Sequence, residues 1–230
     1  MYDPDTARRT MLQTPLVRLS MRRANRIIVP SSYMAGLVLT TCPWASDRLD
    51  VLHHPVSVPA TSTHRTPKSI LCPVLPAPYK RLDQRIHEVI DALKVIQDRN
   101  ASIRLTVTLT ERELAGSGHD YPEWVRPIGR VTDTEISREF DKASVVFFPC
   151  IVESFGYPLA EARVRRLPVV APNNPLSREV AGDALVGYSI GSRTSLTSAL
   201  IQALDTNLSS LTQNPYDPDR YFQSLLSVNQ

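Results

Sequence analysis

Residues 144–170 read Ser144-Val-Val-Phe-Phe-Pro149-Cys-Ile-Val-Glu153-Ser-Phe-Gly156-Tyr-Pro-Leu-Ala-Glu161-Ala-Arg-Val-Arg-Arg-Leu-Pro168-Val-Val170. The run before Pro149 is unbroken, apolar, β-branched and aromatic, the pattern of a strand buried on both faces of a parallel sheet. A loop and a helix follow it. Gly156 lets a ligand approach closely because it lacks a Cβ, and Pro158 suits the first helical position, where a missing N–H costs nothing. The helix is therefore expected to start near Tyr157. Its free N–H groups and the positive end of its dipole would point at the mouth of the sheet, a ready anion site. Glu153 precedes that mouth and Glu161 sits about one turn inside the helix. A phosphate with hydroxyl-bearing groups on either side fits between them.

Outward from this stretch, strands and helices alternate. Ser69 to Val74 reads as a buried strand and Leu82 to Gln97 as a helix with Leu82, Ile86, Val89, Ile90, Leu93 and Ile96 on one face. Ser102 to Thr110 alternates apolar and polar residues, which predicts a strand with unequal faces. Glu111 to Trp124, with Gly116-Ser-Gly-His119, reads as a surface loop. Strand Val125 to Gly129 precedes a helix opened by the Thr132-x-x-Glu135 capping box and buried through Ile136 and Phe140. Pro168 to Ala171, Leu176 to Ala181, Ala184 to Tyr188 and Leu196 to Leu204 continue the alternation, and Tyr216 to Leu226 suggests a short final helix. The fold class is α/β, a doubly wound parallel sheet whose ligands bind at the carboxyl ends of the strands.

Towards the amino terminus, Ala24 to Tyr33 reads as strand then helix, with Ser31 or Ser32 as N-cap and Met34, Leu37 and Val38 on one face. Arg48 to His53 is another short strand. Val58 to Pro67, with Pro59, Pro67 and a Thr/Ser cluster, has linker chemistry. Residues 1–24 hold Arg8, Arg9, Arg18, Arg22 and Arg23 among Met11, Leu12, Leu16, Val17 and Leu19. Two readings stand: a basic amphipathic segment in contact with an anionic membrane surface or a partner, and a solvated helix end, broken by Pro15, whose apolar side belongs to a core. The modest apolar content favours the second.

The formal net charge of +3 is too small to argue for nucleic acid, and the basic residues are not interleaved with aromatics. Four of the 26 basic residues are lysines, a skew that reads as gene base composition. Cys42, Cys72 and Cys150 are isolated and lie in or beside apolar segments, so they suggest reduced thiols and no disulfide framework. No metal-ligand spacing appears, and adjacent His53 and His54 on an extended segment would point to opposite sides. With no signal-peptide core and no apolar run of membrane-span length, the sequence reads as cytoplasmic. The run Arg163, Arg165, Arg166 reads as a solvated helix face.

Glu153 and Glu161, eight positions apart around Ser-Phe-Gly-x-Pro-Leu, resemble the E-x7-E signature of retaining GT-B glycosyltransferases of group 1, also called family 4. Tyr121 to Val131 is similar to that family's strand and loop before the next helix, Pro168-Val-Val-Ala171 to its following strand, and Arg178-Glu179-Val180-Ala-Gly-Asp-Ala184 to a further segment. The likeness runs over roughly residues 20–205. It implies that residues 61–230 are the Rossmann-like, carboxy-terminal nucleotide-sugar-binding half. Residues 1–60 would be a short remnant of the amino-terminal domain with its linker, the chain being truncated relative to a complete GT-B enzyme. The implied reaction moves a sugar from a nucleoside-diphosphate sugar to an acceptor with retention and without a metal or cofactor. By the same resemblance Glu153 contacts the transferred sugar, Lys80 the phosphates and Glu161 the ribose hydroxyls. The remaining donor-binding residues it implies are Phe155, Gly156, Tyr157, Leu159, Arg81, Thr110 and Val131.

Each residue also has a plainer reading. Lys80 is then a solvated loop lysine, Glu161 a carboxylate complementing a helix dipole and Glu153 an exposed loop acid. The sequence departs from the family at Pro73-Val74-Leu75-Pro76, where glycine and arginine are common, and at Tyr188-Ser-Ile190. The partners implied are a nucleotide sugar and a partner chain or missing amino-terminal domain. The competing function is a non-catalytic nucleotide-sugar-binding subunit, which exposed apolar surface around Leu16, Leu19, Ile27 and Leu37 would favour. A nucleotide-sugar epimerase on the same fold is a third reading, disfavoured by the form of the E-x7-E pattern.

Overall fold

The computed structural model describes residues 15–57, 65–75, 82–97, 102–115, 121–208 and 213–227. Lys80, Arg81, Gly116 to His119 and most of the expected linker lie outside them.

The larger part is a six-stranded, wholly parallel sheet. Its strands are β3 (Ser69–Cys72), β4 (Arg104–Val107), β5 (Val125–Pro127), β6 (Val145–Phe147), β7 (Val169–Pro172) and β8 (Leu185–Tyr188), in the spatial order β5-β4-β3-β6-β7-β8. The chain starts in the middle at β3, winds outward through β4 and β5, then returns to β6 and winds the other way. Ile70 of β3 is flanked by Leu105 of β4 and Val145 of β6. A doubly wound sheet opens a crevice where the direction reverses, beyond the carboxyl ends of the strands, here between β3 and β6.

Both faces of the sheet are covered by helices α3 (Leu82–Gln97), α4 (Glu111–Ala115), α5 (Asp133–Lys142), α6 (Tyr157–Val164), α7 (Pro175–Ala181) and α8 (Arg193–Asp205). The expected apolar face of α3 is buried along its whole length. Every residue of β6 and β7 is buried, as the unbroken apolar runs predict. Thr132 and Glu135 form the capping box at the start of α5, each bonded to the other's backbone N–H.

Two expectations are corrected here. Ser102 to Thr110 does not have one wet face, because β4 lies inside the sheet and Thr106 and Thr108 are buried. Thr108 meets the polar cost by donating to the carbonyl of Val74 (2.6 Å) and accepting from its N–H (2.7 Å), which ties together the ends of β3 and β4. Glu111 to Trp124 is not all loop either. Thr110-x-x-Glu113 is a second capping box, and it opens α4.

The smaller, amino-terminal part comprises a helix at residues 15–23 (α1), β1 (Ile27–Val29), α2 (Ser32–Thr41), a 3-10 turn (Pro43–Arg48) and β2 (Leu49–Val51). β1 and β2 pair in parallel as a separate two-stranded sheet. Ser31 is the N-cap of α2, but Ala35 supplies its buried side, and Leu37 faces out at 47% exposure. The last helix, α9 (Pro218–Leu226), returns to this part, and Arg26 donates to the carbonyl of Ser224.

Candidate functional site

β6 delivers the chain to the crevice. After Phe147 the loop keeps Phe148, Cys150 and Phe155 buried and then turns into α6 at Gly156. Gly156 has φ +78, and a Cβ there would meet Leu159 Cδ1 at 3.1 Å and Phe148 Cε1 at 3.3 Å. Only glycine fits this left-handed, crowded turn without strain. α6 starts at Tyr157 with Pro158 in its first turn, so the expected helix start is where the sequence placed it.

Two cavities meet at this point. One, of about 210 Å³, lies between the ends of β3 and β6 and is lined by Glu153, Phe155, Gly156, Tyr157, His54 and the Pro73 to Leu75 segment, among others. The other, of about 350 Å³, is lined by Pro55 to Ser57, Asp133, Tyr157, Glu161 and Arg165, among others. Tyr157 belongs to both. The two glutamates therefore line different chambers, and the chambers share Tyr157.

Burial pushes the Glu161 carboxyl above its ordinary value, against the pull of Arg165 and with the help of Asp133. Arg165 approaches Glu161 only to 3.8 Å, because its guanidinium binds Asp141 at 2.6 Å and Ser137 at 2.9 Å. Glu161 thus keeps acceptor capacity facing its chamber.

The remaining expected site residues divide. Phe155, Gly156 and Tyr157 come together with Glu153. Leu159 is fully buried, its N–H bonded to the Gly156 carbonyl at 2.9 Å, so its side chain supports the turn from the core and has no ligand-facing surface. Thr110 is at the start of α4, and its hydroxyl is engaged with Glu113. Val131 immediately precedes the cap of α5, two residues before Asp133 of the larger chamber.

The expectation that Arg163, Arg165 and Arg166 are solvated is overturned. Arg165 and Arg166 side chains are 10% and 12% exposed. Arg163 donates to the Tyr216 hydroxyl, Arg166 pairs with Asp183, and Arg165 lies over the Phe140 ring. The end of α6 is enclosed by neighbouring elements, whose carboxylates and carbonyls meet these guanidinium groups.

Several contacts made by residues beside the site were not legible in the sequence. His53 and His54 do diverge: His53 Nε2 lies 2.9 Å from Glu179 Oε1, whereas His54 stacks on Tyr157 with centroids 5.4 Å apart. Glu179 also accepts from the N–H groups of Ser32 and Tyr33, capping α2 from α7. Burial alone would raise its pKa, but the bonds from His53, Ser32 and Tyr33 outweigh it and hold the carboxyl below its usual range. Ser31, fully buried, donates to the carbonyl of Ser154 at 2.7 Å. The Glu153 to Gly156 loop is thus fastened to the amino-terminal part. The visible signal for this was the capping role of Ser31.

Among the described residues no group of three or more His, Cys, Asp and Glu is placed to hold a metal ion, and no helix is long and apolar enough to cross a membrane.

The family profile described as "Glycosyl transferases group 1" matches residues 79–215, which contain the crevice, both glutamates and most of the sheet. The chain belongs to the group 1 glycosyl transferases. Comparison with curated protein sequences finds no match. Among solved structures, this chain is similar to a point mutant of S. aureus TarM in complex with Fondaparinux, alpha-GlcNAc-glycerol and UDP. The TM-score is 0.68 at 15% identity, over 90% of this chain and 44% of that one. It is also similar to the lipopolysaccharide outer core galactosyltransferase WaaB in its apo form (TM-score 0.62, 14% identity, 88% of this chain, 60% of that one). A GtfA/B complex gives a TM-score of 0.61 at 14% identity, over 89% of this chain and 42% of the other. At these identities the likeness is one of fold, the GT-B arrangement. The chain spans about half the length of these neighbours.

Proposed function

We propose that this group 1 transferase binds a nucleoside-diphosphate sugar across its two chambers and moves the sugar, with retention, to an acceptor held largely by another half. The carrying observation is the pair of chambers that share Tyr157 at the start of α6, with Glu153 lining the one beside the switch point and Glu161 lining the other. The structural neighbour solved in complex with UDP supports a nucleotide ligand for this fold.

In this reading the ribose hydroxyls donate to Glu161, and hydroxyls of the transferred sugar donate to Glu153. The diphosphate crosses the start of α6, where the helix dipole and backbone N–H groups favour negative charge. Lys80 and Arg81, at the end of the segment after β3, supply the cations. The bond from the anomeric carbon to the diphosphate breaks with its electron pair going to phosphate oxygen, and the acceptor oxygen bonds the same face of that carbon. The proton of the acceptor hydroxyl passes to the departing phosphate. Fixed donors aimed at the leaving group are what the protein contributes, and no metal is called for.

A second reading is favoured by a specific observation. Leu16, Val17 and Leu19 of α1 are 65%, 54% and 46% exposed, and Leu37 of α2 is 47% exposed. Such apolar surface suits a nucleotide-sugar-binding subunit that completes its site with a partner chain or an amino-terminal domain.

Calorimetric titration with UDP, GDP, ADP and their common sugar conjugates tests the donor site. Selective binding of one nucleotide, weakened in both Glu161→Ala and Lys80→Ala, is the expected result. Absence of binding to all of them overturns the donor reading. Brisk transfer to an acceptor by this chain alone would contradict the need for another half.

A further inference from the structure

The chamber that holds Glu153 is walled mainly by side chains that lack nitrogen, including Pro73, Val74, Leu75 and Phe148. His54 is the side chain in that lining with ring nitrogens. It comes from the segment after β2, far in sequence from Glu153, and rings hold it on two sides. Its plane lies 7° from that of Tyr157, and it meets Phe155 edge-on at 5.3 Å. Burial pushes its pKa below the ordinary value of 6.5. At neutral pH the ring is therefore uncharged, with one nitrogen that donates and one that accepts.

A neutral imidazole is a weak counter-charge for a diphosphate. It matches a sugar hydroxyl well, because a hydroxyl both donates and accepts. A carboxylate only accepts, so a hydroxyl that reaches both Glu153 and His54 finds complementary partners in a mostly apolar chamber. A few convergent polar groups among apolar walls are the usual basis of small-molecule specificity.

We propose that His54 reads the transferred sugar, hydrogen-bonding its hydroxyls together with Glu153 and helping to set which sugar the site accepts. This rests on the donor-site reading above. A ring that merely packs against Tyr157 and Phe155 would be equally satisfied by phenylalanine, and this separates the two roles.

The test is the ratio of two dissociation constants measured by calorimetry on the full chain, for a nucleoside diphosphate and for its sugar conjugate. The probes are UDP with UDP-glucose and UDP-N-acetylglucosamine, GDP with GDP-mannose, and ADP with ADP-glucose. His54→Phe keeps the stack and removes both nitrogens, and His54→Ala removes the ring. The expected result is unchanged binding of the bare diphosphate and about five- to tenfold weaker binding of its conjugate, the effect of losing one or two hydrogen bonds. A ratio equal to that of the unmodified protein overturns the proposal, and so does equal weakening of both ligands. Melting curves identify which variant folds normally and carries the comparison. If neither folds, His54 is a structural residue and the proposal fails. If the unmodified protein binds a diphosphate but the ratio does not move, only this inference falls. If it binds none of the probes, the donor reading falls with it.

Discussion

The two parallel sheets of this molecule differ in how they are covered. In the six-stranded sheet, β6 and β7 are buried throughout and helices cover both faces. In the two-stranded sheet, Asp50 and Val51 of β2 are exposed, and residues 15–20 of α1 are all exposed. Parallel strands are stable when both faces are covered, and a helix as short as α1 has little stability of its own in water. The larger sheet therefore carries the fold, while the smaller part depends on what holds it from outside. Among the bonds that hold it are those that Glu179 accepts from α2 and the one that Ser31 donates to the Ser154 carbonyl, beside the site.

Substitutions can sharpen this contrast. Phe147→Ala, at a fully buried position in β6, should cost about 3–5 kcal/mol in urea denaturation, whereas Leu16→Ala should change stability by no more than about 0.5 kcal/mol. A comparable cost at both positions would mean that α1 packs as tightly as the sheet.

Glu179→Ala should cost about 2 kcal/mol, since it removes the acceptor of three hydrogen bonds that join α7 to α2 and His53. Hydrogen exchange should show the loss concentrated in α2. The pH dependence has a definite sign. A carboxyl held below its unfolded value contributes stability above that value, near 4.5, and loses it as pH falls through the lower folded value. Acid should thus loosen α2 in the unmodified protein, and Glu179→Ala should lack that acid-dependent step.

Gly156→Ala should cost about 1–2 kcal/mol because of its positive φ, and should also weaken donor binding by displacing the turn. The smallest stability change is expected for Glu161→Gln, within about 0.5 kcal/mol, with donor binding reduced about tenfold. Because burial raises the Glu161 pKa, donor affinity should fall as pH drops through that raised value, and Glu161→Gln should flatten this limb. A Glu161→Gln variant that binds donor normally would remove Glu161 from the site.

Most of the larger sheet was legible in the sequence. The apolar runs of β6 and β7, the stripe of α3 and the Thr132 capping box are local patterns, and each produced the element expected. The turn at Gly156 was legible for the same reason, since a missing Cβ and a following proline act within a few residues. What escaped depended on distant neighbours. Thr106 and Thr108 look like a wet strand face until β4 is placed between β3 and β5. Arg163, Arg165 and Arg166 look solvated until α6 is surrounded by acids and carbonyls from other elements. His54 gave no sign of reaching Tyr157, about a hundred positions later in the chain. Leu159 was assigned by motif position to the ligand surface, yet its side chain faces the core.

The shared ring of Tyr157 has a thermodynamic consequence. Tyr157 lines both chambers, so a ligand in one that shifts this side chain would change the fit of the other. Binding energies of separate nucleoside and sugar fragments should not sum to that of the joined molecule, and whichever fragment arrives first will alter the affinity for the second. By reciprocity the second must alter the affinity for the first by the same factor. A single aromatic side chain would then make the two halves of the ligand cooperative, with no motion of the sheet.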